Sequence, residues 1–251
     1  MAQRPLSPGP AAIDPAVLLR AYAAGIFPMA DDRDAPDIYW VEPKYRGILP
    51  LEGFHLSRSL RKLIVRDRYR VTADRAFADI IRLCAESAAD RPDTWINAAI
   101  EAAFLRLHAM GHAHSIEVWD GDRLAGGLYG LALGGAFFGE SMVSRAPSAS
   151  KVALAWLVAR LRVGGFRLLD CQFQTAHLAT MGAVEIPRAR YSALLAGALG
   201  SDGAGSDGAA VADFGALERR AAGASVAAPP TDTVSGPLSG KDIVQLLGHT
   251  S

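Results

Sequence analysis

The stretch from His114 to Ser144 constrains the fold more than any other. It reads HSIEVWD, DGD, LAGGLYGLAL, GG and AFFGESMVS in order. HSIEVWD alternates with the period of two that belongs to a strand. Asp120 to Asp122 is a tight-turn tripeptide, and Gly134–Gly135 is a second turn signal. Three strands joined by two short turns make an antiparallel meander. The apolar face of such a sheet must be covered by other elements.

The flanks supply them. TWINAAIEAAFLRLHAMG predicts a helix with Thr94 as cap and Gly111 as stop. SASKVALAWLVARLRVGG predicts a helix ended at Gly164–Gly165, FRLLDCQF a fourth strand, and TAHLATMG a short helix. The order over 94–199 is helix, meander, helix, strand, helix. It predicts an α+β unit with helices on a mostly antiparallel sheet, similar to the core of acetyltransferase-type (GNAT-like) domains.

Upstream, residues 13–93 read as a smaller mixed α+β domain, behind a flexible start over 1–12. Asp14 and Pro15 open a helix that stops at Gly25. SRSLRKLIV reads as a helix, RYRVTAD as a strand and DRAFADIIRLCAESAA as an amphipathic helix with Cys84 on its apolar side. Residues 200–238 are mostly Ala, Gly, Ser, Pro and Asp, a composition that reads as disordered. SGKDIVQLL predicts one short helix near the end, with Ser239 and Asp242 as a capping pair.

Half of the 251 residues are apolar and 21% are charged, the composition of an ordinary globular protein. No apolar run reaches the roughly 20 residues of a membrane span, and MAQRPLSPGPAA lacks a signal-peptide core. The two cysteines, Cys84 and Cys171, make no disulfide framework, so both are expected as reduced thiols in a cytoplasmic protein. Formal charge is zero overall but uneven. Residues 54–70 hold six basic residues against Asp67 alone, which suits a solvated helix face or a polyanion such as RNA.

Three residues stand out chemically. Asp170 and Gln172 are two apart on the fourth strand and so are expected on one face, with Cys171 opposite. An acid set in FRLLDCQF must be paired, hydrogen-bonded or functional. Glu140 ends an apolar run and is expected to share a strand face with Met142. If the third and fourth strands are neighbours, one cleft collects Glu140, Met142, Asp170 and Gln172, with an apolar wall and a carboxylate suited to a guanidinium or ammonium group. The loop before the long helix, SRAPSAS, has no glycine for close approach to a pyrophosphate, which argues against coenzyme A. The six histidines make no zinc pattern, and no metal or other cofactor is expected.

GIFPM, TWI, LHAMGHAHSIEVW, LAGGLYG, FFGESM, ASK, DCQ and GAVEIPR, in this order over about residues 14–195, resemble the leucyl/phenylalanyl-tRNA–protein transferases. The resemblance implies a soluble bacterial enzyme without metal or ATP. It would move Leu or Phe, and Met less well, from aminoacyl-tRNA to proteins beginning with Arg or Lys, marking them for degradation in the N-degron pathway. It implies Asp170 and Gln172 as catalytic and Glu140 as the acid that reads the acceptor's basic side chain. Leu128, Phe137, Met142, Leu154, Leu157 and Leu169 would line the donor side-chain pocket. Trp95 and Met29 would lie at the terminal adenosine of the tRNA, and Arg58, Arg61, Lys62 and Arg66 would meet its phosphates. Met29 replaces a frequent Trp and Val143 a usual Phe, which weakens the adenosine stacking or leaves it to another aromatic such as Trp40. A monomer is expected. The competing readings are a coenzyme A-dependent N-acyltransferase and a non-catalytic tRNA- or degron-binding adaptor.

Overall fold

The computed structural model describes residues 12–86, 94–200, 211–221 and 238–248. Helix α1 (Pro15–Ala23) begins where its cap allows: the Asp14 carboxylate accepts the Ala16 N–H at 2.8 Å, and Pro15 fills a position whose N–H has no helical partner. Strands β1 (Phe27–Met29) and β2 (Tyr39–Val41) pair as a small antiparallel ribbon. Then come β3 (Tyr45–Ile48), α2 (Arg58–Val65) capped by Ser57, β4 (Arg70–Ala73) and α3 (Phe77–Ala85).

After α4 (Ala98–Ala109) the expected meander follows as β5 (Ala113–Asp120), β6 (Arg123–Leu133) and β7 (Ala136–Ser144). Helix α5 (Ala149–Val163), β8 (Leu168–Gln172), α6 (Ala176–Ala179), β9 (Val184–Pro187) and α7 (Arg188–Leu199) complete this part. Two short helices lie beyond, α8 (Ala216–Ala221) and α9 (Gly240–Gly248).

Seven strands form one sheet in the order β4-β5-β6-β7-β8-β3-β9. Every neighbouring pair is antiparallel except β7–β8. The sheet draws strands from both sides of residue 94, since β3 and β4 precede it. Helices cover both faces. Leu60 and Ile64 of α2, the apolar side chains of α5, and Ile243, Val244 and Leu247 of α9 pack into one core. Leu18 and Tyr22 of α1, with side chains of α3, α4 and α7, pack into the other.

Four expectations change. Asn97, not Thr94, caps α4: its Oδ1 accepts the Ile100 N–H at 3.0 Å, whereas Thr94 Oγ1 holds the Ile96 N–H before the helix begins. β9 and α7 carried too weak a pattern to be expected, because β9 is mostly exposed and contributes only Ile186 to the core. α3 ends at Ala85, and residues 87–89 of its expected span lie outside the described residues. Residues 213–218, within the stretch expected as disordered, are anchored: Phe214 stacks on Phe137, Leu217 is buried, and Glu218 pairs with buried Arg160. Two well-placed apolar residues and one ion pair suffice in an otherwise poor composition. Apart from 211–221, and from Ala12, Gly200 and Leu238 at their edges, the expected flexible segments fall outside the described residues. The α9 cap is as expected, with Asp242 accepting from both the N–H and the hydroxyl of Ser239 at 2.8 Å.

Candidate active site

The site exists because β7 and β8 part company. Their parallel pairing covers only Ala136↔Leu168, Phe137↔Leu169 and Phe138↔Asp170. Beyond that β7 stays with β6, while β8 pairs with β3. A cavity of about 300 Å³ lies between the diverging ends, walled by Gly139–Met142 on one side and by Leu169, Cys171 and Gln172 on the other. Leu128 of β6 and Leu154 and Leu157 of α5 form an apolar floor, and Phe27, Met29 and Trp95 add to its wall. Of the six residues expected at the donor side chain, Leu128, Met142, Leu154, Leu157 and Leu169 line this cavity. Phe137 lies behind the wall, fully buried against Phe166 and Phe214.

Glu140 and Met142 do not share a strand face. Gly130 pairs with Gly139 and Tyr129 with Ser141, so Glu140 is the extra residue of a β-bulge. Phe137 and Met142, an odd and an even position, therefore pack into the same core, while Val143 packs into the opposite one. The bulge aims Glu140 toward Tyr22 and Gln172. Gln172 Nε2 donates to Glu140 Oε1 at 3.0 Å. Burial pushes the Glu140 pKa up to about 8; the Tyr22 hydroxyl opposes this, the Asp170 charge adds to it and Arg46 opposes it.

Asp170 was expected in the cavity beside Gln172, and it lies behind the wall instead, fully buried. Its carboxylate is saturated. Arg46 donates from Nε at 2.9 Å and from Nη2 at 2.7 Å, the Tyr191 hydroxyl donates at 2.7 Å, and the Gln172 backbone N–H donates at 2.8 Å. The alternation of the strand explains the placement, since Leu169 and Cys171 face the cavity and Asp170 faces away. Gln172 re-enters only because its φ is +56°, which breaks the period of two. Asp170 thus grips the backbone of Gln172 and leaves its side chain to Glu140.

Sequence reasoning missed Arg46. It is 1% exposed, donates from Nη1 to the Gly25 carbonyl at 3.0 Å, and lies over the rings of Phe27 and Tyr191 at 4.5 and 4.6 Å. Burial works against its charge, yet its bonds to Asp170 outweigh that and raise its pKa. The signal available was the demand of a buried Asp for a cation. The next residue, Gly47, pairs with Gln172, and a Cβ there would lie 2.6 Å from Gln174 N and from Phe173 C. Gly47→Ala is expected to displace the turn that carries Gln172 and to lower the activity of the site at least tenfold, with the melting temperature as the check that the body still folds.

Burial, with the Asp170 charge, raises the Cys171 thiol above its ordinary range, which opposes a nucleophilic thiolate. His177, also on the wall, has its pKa lowered by burial and by Lys151. Arg58, Arg61 and Lys62 sit on α2 and Arg66 is its C-cap, all outside the cavity. Among the described residues no cluster of three His, Cys, Asp or Glu could hold a metal ion, and no helix is long and apolar enough to cross a membrane.

The family model "Leucyl/phenylalanyl-tRNA protein transferase" matches residues 48–196, and the model of that family's N-terminal domain matches residues 11–44. A relative from Rhizorhabdus wittichii is 62% identical over 96% of this chain and 99% of its own length. One from Novosphingobium aromaticivorans is 48% identical over 96% of this chain and 98% of its own. Both are called leucyl/phenylalanyl-tRNA--protein transferase. Among solved structures, "The structure of L-PGS from Bacillus licheniformis" overlays with a TM-score of 0.38 at 12% identity, covering 63% of this chain and 53% of that one. With family models matching both its N-terminal segment and its sheet, the chain belongs to the leucyl/phenylalanyl-tRNA–protein transferase family.

Proposed function

We propose that this protein transfers leucine or phenylalanine from aminoacyl-tRNA to the α-amino group of proteins that begin with Arg or Lys, as a cytoplasmic, monomeric enzyme of the N-degron pathway. Met is a poorer third donor. The observation that carries the reading is a cavity with an apolar floor that ends at a hydrogen-bonded Glu140–Gln172 pair. The meander, the α5 crossover and the splayed β7–β8 pair support an acetyltransferase-type fold.

Each part of the cavity has a task. The apolar lining of Leu128, Met142, Leu154, Leu157 and Leu169 takes the donor side chain; such a pocket separates large apolar residues by only about 1–3 kcal/mol, which fits a mixed donor range. Trp95 and Met29 meet the terminal adenosine. The α-amine attacks the ester carbonyl, the bond to the ribose oxygen breaks, and that oxygen gains a proton as the nitrogen loses one. The Gln172 side-chain carbonyl accepts a hydrogen bond from the amine and orients its lone pair, since Nε2 is already committed to Glu140. Asp170 is a positioning residue: its oxygens are filled by Arg46, Tyr191 and the Gln172 N–H, so the proton leaves through water or the ribose 2′-hydroxyl. Glu140 receives the guanidinium or ammonium group of the acceptor's first residue.

Glu140 gives this reading a pH signature. With a pKa near 8 it is neutral below that pH, and binding a cation favours its ionised form. Acceptor affinity is therefore expected to rise with pH up to about 8 and then level off. The acceptor amine, with an ordinary pKa of about 7.7–8.0, loses its proton in the same window. So kcat/KM climbs with a slope near two in the wild type and near one in Glu140→Gln. The stability sign is also fixed. A carboxyl raised on folding favours the fold at low pH and loses that contribution as pH rises through about 8, so Glu140→Gln gains relative stability as pH rises from about 4.5 to 8. Identical pH profiles for the two proteins exclude Glu140 from the acceptor site. The activity itself is tested with Leu-tRNA and peptides beginning with Arg or Ala, read by mass spectrometry: leucine added to the Arg peptide alone supports the reading, and no addition to either refutes it.

A further inference from the structure

Helices α8 and α9 lie beyond residue 196, where the family model ends. Yet α9 is built into the body. Ile243, Val244 and Leu247 are buried, and the Gly240 N–H donates to Asp67 Oδ1 at 2.6 Å, just past the end of α2. A Cβ at position 240 would come within 1.9 Å of the Ile64 carbonyl, so only glycine allows this approach. At the other end Arg162 of α5 donates to the Leu246 and Leu247 carbonyls at 3.2 Å each, and from Nε to Leu51 at 3.0 Å. Both ends of α9 are thus tied down alongside α2.

Between the two helices runs a groove of about 450 Å³, lined by Arg61 and Val65 of α2 and by Lys241, Val244, Gln245 and Gly248 of α9. Arg58, Arg61, Lys62, Arg66 and Lys241 are all exposed. Among the described residues none of the five makes an ion pair. The acids beside them are occupied: Asp67 by Gly240, and Asp242 by Ser239. This face adjoins the cavity wall. The His55 N–H, just before α2, donates to the Met181 carbonyl at 2.9 Å, and Met181 follows α6, which carries His177 and Leu178 of that wall.

We infer that α9 forms part of the tRNA-binding surface, with Lys241 and Arg61 gripping a backbone phosphate of the donor tRNA in the α2–α9 groove. The inference rests on the expectation that Arg58, Arg61, Lys62 and Arg66 meet the tRNA phosphates. It adds that a segment outside the matched family region completes that contact.

The test measures tRNA affinity of the full chain, with deacylated tRNA as probe, across about 50–200 mM salt. Lys241→Glu is expected to weaken binding about tenfold and to reduce the slope of log affinity against log salt by about one. Arg123→Glu, the same charge change at the β5–β6 turn, serves as control and is expected to leave both unchanged. Lys241→Glu behaving like Arg123→Glu overturns the role of α9. If Arg61→Glu and Lys62→Glu also change nothing, the α2 reading fails with it. If those two weaken binding while Lys241→Glu does not, α2 stands and α9 alone falls. Thermal melts show whether each variant remains folded.

Discussion

Arg46→Met is expected to cost about 3–5 kcal/mol of stability, because it strands the Asp170 carboxylate in a dry site. For a chain of this size that is a fall in melting temperature of roughly 10 °C. The Gly25 carbonyl loses its donor as well. Arg46→Met combined with Asp170→Leu is expected to recover much of the loss, since replacing both members of a buried pair by apolar groups is far less costly than removing one. The double variant should nevertheless stay inactive, because the Gln172 N–H then lacks the acceptor that holds its left-handed backbone. Regained stability without regained turnover is a result that a merely structural pair would not give. A single variant losing less than about 1 kcal/mol would show that the pair is not the anchor of β8.

Gln172→Ala is expected to lower turnover by about 10²–10³-fold at saturating substrates, the scale seen when one preorganised hydrogen-bonding group is removed from a reacting centre. tRNA affinity should hardly move, because none of the α2 cations lines the cavity. Gln172→Asn sharpens the point. Asparagine accepts a positive φ more readily than most residues, so the backbone of the turn is kept while the amide is withdrawn by one methylene. A loss close to that of Gln172→Ala assigns the effect to the reach of the amide; near-normal turnover in Gln172→Asn assigns it to the backbone instead.

The meander was legible because period-two alternation and two turn signals are local properties of the chain. The same rule placed Leu169 and Cys171 together and Asp170 opposite. It failed at Gln172, where a single left-handed residue reverses the alternation. It failed at Glu140 for a related reason: a bulge is a relation between two strands, and one strand read alone cannot reveal it. Glu140 still drew notice, since an acid ending an apolar run is costly to bury. Arg46 was out of reach. Its partner lies 124 residues away, and the demand of Asp170 for a cation fits any of 26 Lys and Arg residues. The short helix at 216–221 was lost to composition, because Phe214 and Leu217 anchor a stretch otherwise made of small and polar residues.

In the proposed mechanism the Glu140–Gln172 pair aligns the acceptor amine against the ester of the charged tRNA. This alignment is tested most directly in a single turnover, with enzyme in excess over Leu-tRNA and a peptide beginning with Arg, following acyl loss from the tRNA and leucine gain on the peptide together. Matched loss and gain are expected in the wild type, and in Gln172→Ala a tRNA that is bound but stays charged. Transfer at the wild-type rate in Gln172→Ala would contradict that mechanism.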